Sequence, residues 1–517
     1  MLDPRSAFQV SGEVEPQPTG FVVDSLLVRG RHDVTWRTLR EVAREAGFRL
    51  HQRRADHLDR DLIAKAGLDA KTTQELEDVW VERVALEPDP ERPPRVFAPV
   101  DAWRLLQTYR LRVGSGPRRR DVGLEHPAST RDIQPTPYTD PHPYTDPHPY
   151  TDPHPYTDPH PYTDPHGIGG YAVPGWGGRQ PVGYAGRAPR GRLGPRDRRP
   201  VVAVLDSGIE DHPWLRDDNV VRDPCVTVPG GGPGVRIGIP PVAGDLTGIG
   251  NAESLLGELG PDAGHGTFIA GLIRQGCPDA RLLSVRLFHS DGEVRESELL
   301  RSLQLLALHH LMGIAGHAGH DVVDVVSLSL GYYHEMPGDA SFDSLLLGPL
   351  RLLGRFGVAV VTSAGNDATT RASYPAAFAP YPDTPFPTPT NAVPISAVGA
   401  VNPDGTIAMF SNDGPWVRYL RPGVSLLSAM PTSYDGSLEP SNEFVNARGE
   451  TRSTLDPDDF RGGFAVWSGS SFAAPVLAGQ VAARLQKDFA KGRALDPRAK
   501  VRRLRRILAE MPHREVQ

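Results

Sequence analysis

From residue 200 onward, continuous apolar runs alternate with helical stretches, and this alternation constrains the fold more than any other feature. The runs are VVAVLD, RLLSVRLF, DVVDVVSLSL, GVAVVTSAG and PISAVGA, and helical stretches between them include GTFIAGLIRQ, SELLRSLQLLALHHLMGIAG and SLLLGPLRLLGRFG. Strands without polar alternation are typical of parallel sheets that helices cover on both faces. We therefore predict a doubly wound, mostly parallel α/β domain over residues 200–490, with ligands beyond the carboxyl ends of its strands.

A smaller module is predicted before this domain, over residues 21–130. Strand patterns occur in FVVDSLLVRG, FRLHQ, VWVERVAL and DVGLEH, and helical patterns in VTWRTLREVAREAG and VDAWRLLQTYRLR. Their order, β-α-β-β-α-β, describes a ferredoxin-like α+β layout. We expect residues 1–20 to be disordered and residues 491–517 to form a basic C-terminal helix or tail.

Residues 131–199 are predicted to form a linker rich in proline and glycine. The unit PYTDPH repeats without change over residues 137–166. One residue in three is proline there, which removes backbone donors and favours an extended polyproline-II spacer. The repeated histidines and aspartates offer ligands for a soft metal ion, but we interpret the repeat as a solvated spacer.

Composition and charge exclude several classes of function. The 517 residues carry a formal net charge of −7 and a sequence pI near 6.2, which argues against nucleic acid and anionic membranes as partners. No apolar stretch is long enough for a membrane-spanning helix. The start of the chain lacks the pattern of a secretory signal, which predicts a cytoplasmic location unless the start site is misplaced. Cys225 and Cys277 are the only cysteines, and they form either one disulfide or two free thiols.

Four polar residues occupy positions suited to acyl-transfer chemistry. Asp206 and Asn366 each follow an apolar run, and His265 lies in GHGTFIAGLI, where we expect the flanking glycines to clear space for the imidazole. Ser471 lies in GSSFAAP, where the start of a helix favours a developing anion. Turn formation and helix capping explain each residue singly. Together they supply an acid, an oxyanion donor, a base and a nucleophile.

The blocks VVAVLDSGIEDHPWL, GHGTFIAGLI, VVTSAGN and GSSFAAP resemble those of the subtilisin-like serine peptidases, whose chain order is Asp, His, Ser. The resemblance extends over about residues 200–485. It implies that Asp206, His265 and Ser471 are catalytic and that Asn366 binds the oxyanion. From the residues alone, Ser468, Ser470 and Ser471 compete as the nucleophile. The resemblance selects Ser471 and puts Ser470 at the position where the family has a threonine.

The resemblance also implies a polypeptide substrate bound in an extended channel. One edge of the channel would be formed by Ser329, Leu330 and Gly331, and its first specificity pocket would be lined by Ala364 and Gly365. The family requires no cofactor for its chemistry. Calcium often stabilises its members, but we assign no metal ligand in this sequence.

A ferredoxin-like module before such a peptidase resembles the family's inhibitory propeptides. We therefore expect an intramolecular partnership in which the tail of the module, near residues 126–130, lies in the cleft. The alternative for the module is protein binding or sensing that brings the peptidase to its target. For the whole chain, the alternative is a binding protein on an inactive peptidase scaffold, which would have no need of all four catalytic groups.

Overall fold

The computed structural model describes residues 1–514 except 10–13, 31–32, 53, 92–98, 131–167, 176, 195–196, 217, 231, 250–254, 337–344 and 490–495. The PYTDPH repeat lies outside the described residues. Cys225 and Cys277 are both free thiols. No helix in the described part of the chain combines the length and apolarity needed to cross a membrane.

The N-terminal module contains an antiparallel sheet with strand order β2-β3-β1-β4. Its strands are β1 (Ser25–Arg29), β2 (Phe48–Gln52), β3 (Val81–Pro88) and β4 (Val122–Leu124). Its helices are α1 (Asp33–Glu45), α2 (Arg54–Lys65), α3 (Ala70–Asp78) and α4 (Ala102–Val113). This order and the positions of α1 and α4 agree with the predicted ferredoxin-like layout. The helices α2 and α3 are additions between β2 and β3 that we did not predict.

The remaining strands and helices follow the module along the chain. The strands are β5 (Pro127–Ser129), β6 (Gln180–Pro181), β7 (Val201–Asp206), β8 (Val220–Arg222), β9 (Cys225–Val226), β10 (Val235–Arg236), β11 (Arg281–Arg286), β12 (Glu293–Arg295), β13 (Val325–Leu328), β14 (Tyr332–Tyr333), β15 (Ala359–Ser363), β16 (Ser373–Tyr374), β17 (Ser396–Val401), β18 (Val417–Pro422), β19 (Leu426–Ala429), β20 (Glu443–Val445), β21 (Thr451–Ser453) and β22 (Phe464–Trp467). The helices are α5 (Ala243–Thr247), α6 (His265–Gly276), α7 (Glu296–Ile314), α8 (Leu347–Arg355), α9 (Ser470–Phe489) and α10 (Pro497–Ala509).

A seven-stranded parallel sheet forms the centre of the α/β domain, in the order β18-β17-β15-β13-β7-β11-β8. Alternate residues of β7 enter different hydrophobic clusters. Val202 and Val204 share a cluster with α6 and α9, whereas Ala203 and Leu205 share one with α7 and α8. Both faces of the strand are therefore buried, which explains the continuous apolar run and confirms the predicted doubly wound fold.

The module packs against α7 of the α/β domain. Leu27 and Trp80 belong to the same buried cluster as Leu300 of α7. At the edge of this contact, the Arg301 guanidinium of α7 lies 2.5 Å from the Asp59 carboxylate of α2. The two units consequently share a buried cluster where they meet, while a separate core lies within the module around Leu26 and Tyr109.

Several segments that we assigned to linkers or tails contact the folded units. Residues 14–20, expected to be disordered, include Gln17, whose N–H donates to the Glu335 carbonyl at 2.6 Å. Within the predicted linker, β6 pairs with β22, and Arg198 forms an ion pair with buried Asp324 at 2.8 Å. In the predicted C-terminal tail, α10 buries Lys500, whose ammonium lies 2.8 Å from the same carboxylate. Buried ion pairs and strand pairing, which composition does not reveal, hold these segments in place.

Candidate active site

Asp206 and His265 form a buried pair where β7 ends and α6 begins. His265 Nδ1 lies 2.7 Å from Asp206 Oδ1, and the two side chains are at most 1% exposed. Asp206 Oδ1 also accepts from the Ser207 N–H at 2.8 Å, and the Ser207 hydroxyl accepts from the Gly266 N–H at 3.0 Å. Two contacts, Asp206 with His265 and Ser207 with Gly266, thus link the turn after β7 to the first turn of α6.

The glycines flanking His265 allow this close approach of backbone to backbone. A Cβ atom at Gly266 would lie 2.3 Å from the carbonyl oxygen of Gly208. Gly264 adopts a φ of +81°, and a Cβ atom there would lie 2.6 Å from the side chain of Met430. Our expectation that the glycines clear space for the imidazole was therefore incomplete. They chiefly make room for the Gly208 backbone and the Met430 side chain.

The three serines near the start of α9 differ in their hydrogen bonds. Ser468 Oγ donates to the Gly177 carbonyl at 2.6 Å and accepts from the Ser425 N–H at 2.9 Å. Ser470 Oγ accepts from the Gly365 N–H at 3.1 Å. Ser471 Oγ is buried and makes no hydrogen bond within the described part of the chain. Of the three hydroxyls, that of Ser471 is the one not committed to the scaffold.

A proline inside α9 leaves the Ser471 carbonyl in need of a donor. Pro475 stands four residues after Ser471 and has no N–H, so the usual intrahelical bond cannot form. The hydroxyl of Ser329, just beyond β13, donates to that carbonyl at 2.9 Å. A hydrogen bond from Ser329 therefore connects the predicted substrate-binding edge with the predicted nucleophile, Ser471.

Asn366 lies beyond the carboxyl end of β15, next to the start of α9. Its Oδ1 accepts from the Ser470 N–H at 2.8 Å. The side-chain oxygen of Asn366 is therefore turned toward the first turn of α9. Gly365 before it has a φ of +105°, and a Cβ atom there would lie 2.4 Å from Asn412 Nδ2.

Helices α6 and α9 bring the histidine and the serine regions together. The His265 ring lies 5.1 Å from the ring of Phe472, the residue after Ser471, and 5.7 Å from that of Trp467. The ends of β7 and β15 contribute Asp206 and Asn366 at the same edge of the parallel sheet. The four predicted residues thus lie on neighbouring elements at the carboxyl edge of the sheet, where ligands of such folds are expected.

The tail of the module lies between two segments of the α/β domain. β5 pairs antiparallel with β12, so that Ala128, which is fully buried, lies opposite Val294. On the other side, Ser129 and Gly331 exchange two backbone hydrogen bonds, of 3.1 and 2.8 Å. Gly331 was predicted to pair with extended substrates, and here it pairs with the chain's own tail.

A buried histidine of the tail sits between two carboxylates, and sequence reasoning missed this group. His126 Nδ1 lies 2.8 Å from Glu296 Oε2, and its Nε2 lies 2.9 Å from Glu335 Oε2. Burial alone would lower the pKa of His126, but the hydrogen bonds and charges of the two carboxylates raise it to about 10. Against the effect of burial, the charge of His334, followed by the hydrogen bond and charge of His126, holds the pKa of Glu335 below its ordinary value. No sequence signal identifies this trio, because its members are separated by up to 209 residues.

Two groups among the described residues bring metal-ligating atoms within 4.8 Å of one another. One contains Asp435, Asp456 and Asp459, and the guanidinium of Arg461 is paired with two of them, at 3.4 and 2.6 Å. The other contains His126, His334 and Glu335 and overlaps the ion-paired histidine described above. A cationic side chain already contacts carboxylates in each group, and we assign no metal to either.

Comparison with known proteins places the α/β domain among peptidases. The Subtilase family matches residues 197–509, which is more than half of the chain. Subtilisin BL of Lederbergia lenta is 28% identical over 240 residues, which are 46% of this chain and 68% of that protein. An alkaline protease of Alkalihalobacillus alcalophilus is 28% identical over 240 residues, but the match spans only 48% of its length.

The solved structures that match this chain are less similar to it in sequence. The patellamide maturation protease PatA is 21% identical, with a TM-score of 0.35 and coverage of 59% of this chain and 85% of that one. A lanthipeptide protease is 18% identical, with a TM-score of 0.37 and coverage of 59% of this chain and 78% of that one.

Proposed function

The chain belongs to the subtilase family of serine endopeptidases, and from this premise we propose that it hydrolyses peptide bonds through Ser471, His265 and Asp206. The hydrogen-bond commitments of the three serines carry the assignment of the nucleophile. The hydroxyls of Ser468 and Ser470 form hydrogen bonds to neighbouring loops, whereas the Ser471 hydroxyl forms none within the described part of the chain. In this assignment Asn366 serves as the oxyanion donor.

In the first half of the reaction, Ser471 Oγ bonds to the substrate carbonyl carbon while its proton passes to His265 Nε2. Asp206 accepts from Nδ1–H, which keeps Nε2 basic and stabilises the imidazolium. The carbonyl oxygen, now negatively charged, accepts from the Asn366 amide and from the Ser471 N–H. That N–H belongs to the first turn of α9, where backbone donors lack intrahelical acceptors.

In the second half, the scissile C–N bond breaks and the leaving amine takes the proton from His265. Water then attacks the acyl ester on Ser471 and gives a proton to His265 Nε2. When the ester C–O bond breaks, that proton returns to Ser471 Oγ. The residues are restored and no cofactor is consumed.

Replacing each serine tests the assignment. Ser471→Ala should lower kcat for a fluorogenic peptide by roughly 10⁶-fold, with an unchanged unfolding temperature. Ser470→Ala leaves the Gly365 N–H without its acceptor and should retain measurable turnover. An active Ser471→Ala chain together with an inactive Ser470→Ala chain would contradict the assignment.

We also propose that the module inhibits the enzyme by placing its tail in the substrate channel. The backbone pairing of Ser129 with Gly331, and of β5 with β12, is the kind of strand addition that extended peptides use. Ser329 and Leu330 would complete that edge, and Ala364 and Gly365 would line the pocket for the residue at the cleaved bond. A module that only recruited targets would have no need to occupy this edge.

Displacing the tail tests the inhibition. Ala128→Glu would bury a carboxylate at a fully buried site and should drive the tail out of the channel. We expect the initial rate of peptide hydrolysis by the full chain to rise roughly tenfold or more. Ala70→Glu, on the exposed first turn of α3, is the matched control and should leave the rate unchanged. An unchanged or lower rate for a folded Ala128→Glu chain would favour the recruiting module instead.

A further inference from the structure

We infer that Glu296 and Glu335 form a substrate subsite that selects a basic residue. This basic residue lies three positions before the substrate residue that pairs with Gly331, just as His126 lies three positions before Ser129. The inference rests on the proposed function, because it takes the tail as occupying the path of a substrate. It concerns specificity at a distance from the cleaved bond.

The first step is that the channel continues as far as His126. The Glu296 N–H donates to the His126 carbonyl at 2.8 Å, and the His126 N–H donates to Glu296 Oε2 at 3.2 Å. These bonds continue the pairing of Pro127–Ser129 with Glu293–Arg295 without interruption. An extended substrate that pairs with Gly331 would meet the same backbone groups three residues earlier.

The second step concerns the charge at that end of the channel. Glu296 and Glu335 are at most 2% exposed, and both belong to the α/β domain. Their cationic partners are largely supplied by the module, namely His126 and the Arg110 guanidinium, which lies 3.9 Å from Glu335 Oε1. On the side of the α/β domain, His334 Nδ1 lies 3.2 Å from Glu335 Oε2.

The third step follows from removing the tail. When the tail leaves, His126 leaves with it, and two carboxylates face the channel with less positive charge beside them. A substrate with lysine or arginine at this position restores the lost pairing, whereas a neutral residue leaves the carboxylates uncompensated. Tyr332 limits the width of the site, because its hydroxyl donates to Glu296 Oε1 at 2.8 Å and its ring stacks on His126 at 4.7 Å.

Two matched peptides test the inference. Each carries the sequence of residues 124–136 between a fluorophore and a quencher, with either lysine or norleucine in place of the histidine at position 126. The full-length Ala128→Glu chain is the enzyme, and mass spectrometry verifies that both peptides are cut at the same bond. We expect kcat/KM to be about tenfold higher for the lysine peptide.

The carboxylates are then neutralised in the same background. Glu296→Gln combined with Glu335→Gln should bring the ratio of the two kcat/KM values close to one. Glu439→Gln, in an exposed loop, is the control and should leave the ratio unchanged. Should the Ala128→Glu chain fail to fold, the wild-type chain is tested with the same peptides, because both peptides must displace the same tail and the ratio is preserved.

Equal kcat/KM values for the two peptides, or a preference that survives removal of both carboxylates, would overturn the subsite while leaving the peptidase intact. Cleavage of neither peptide would contradict the proposed function and with it the inference. A lysine preference that disappears with the carboxylates is the supporting result.

Discussion

At the scale of single residues, one absent N–H group explains how the proposed nucleophile is held. Pro475 cannot donate to the Ser471 carbonyl, and Ser329 does so from another part of the chain, at 2.9 Å. The sequence motifs predicted Ser471, His265, Asp206 and Asn366 as site residues because each lies in a local pattern. They did not reveal the bond between Ser329 and Ser471, which joins residues 142 positions apart.

This bond predicts the effect of Ser329→Ala. The buried Ser471 carbonyl would lose its donor, which should lower the free energy of unfolding by about 1–3 kcal/mol. Displacement of the nucleophile should also reduce kcat for a peptide substrate roughly tenfold. Chemical denaturation and initial rates measure the two effects.

Ser327→Ala is the matched control for that change. Ser327 lies two residues earlier, within β13, is 2% exposed, and its hydroxyl makes no hydrogen bond within the described part of the chain. We expect its stability and its kcat to stay within error of the wild type. Equal losses in both variants would show that the Ser329 hydroxyl has no particular role.

At the scale of elements, the tail, β12 and α7 form a charged junction inside the core. His126 of the tail faces Glu296 at the start of α7, and Glu335 and His334 after β14. Arg110 of α4 lies behind Glu335. The apolar periodicity predicted α7 correctly, but it contained no information about which charged residue would meet its first turn. The helices α2 and α3 escaped prediction because their sequences are mostly polar and bury few apolar side chains, among them Ile63 and Leu76.

The junction predicts how stability depends on pH. The folded-state pKa of His126 is raised to about 10 from 6.5. Its contribution is therefore fully present below pH 6.5 and is lost as the pH rises toward 10, by an amount on the order of a few kcal/mol. Thermal unfolding of the full chain between pH 6.5 and 10 should show this decline.

His126→Gln provides the comparison for the pH series. It should be less stable than the wild type at pH 7, because Glu296 and Glu335 lose their shared cation. It should also lack the part of the decline that His126 causes, so the two unfolding temperatures should converge toward pH 10. Parallel curves for the two proteins would contradict the charged state of His126.

At the scale of the whole molecule, segments outside the seven-stranded sheet hold the enzyme together. Asp324 forms ion pairs with both Arg198, from the predicted linker, and Lys500, from the predicted C-terminal tail. The module shares a core with α7 and sends its tail to Gly331. The sequence predicted the two folded units well, because apolar periodicity is local. It could not predict how they are joined, because that depends on apolar contacts, backbone pairing and ion pairs between residues far apart in the sequence.

The central claim is that Ser471 is the nucleophile, and a fluorophosphonate probe tests it most directly. The full-length Ala128→Glu chain is treated with the probe, digested and mapped by mass spectrometry. We expect one adduct, on Ser471, that is lost in His265→Ala. An adduct on Ser468 or Ser470, or no adduct on a chain whose tail has left the channel, would contradict it.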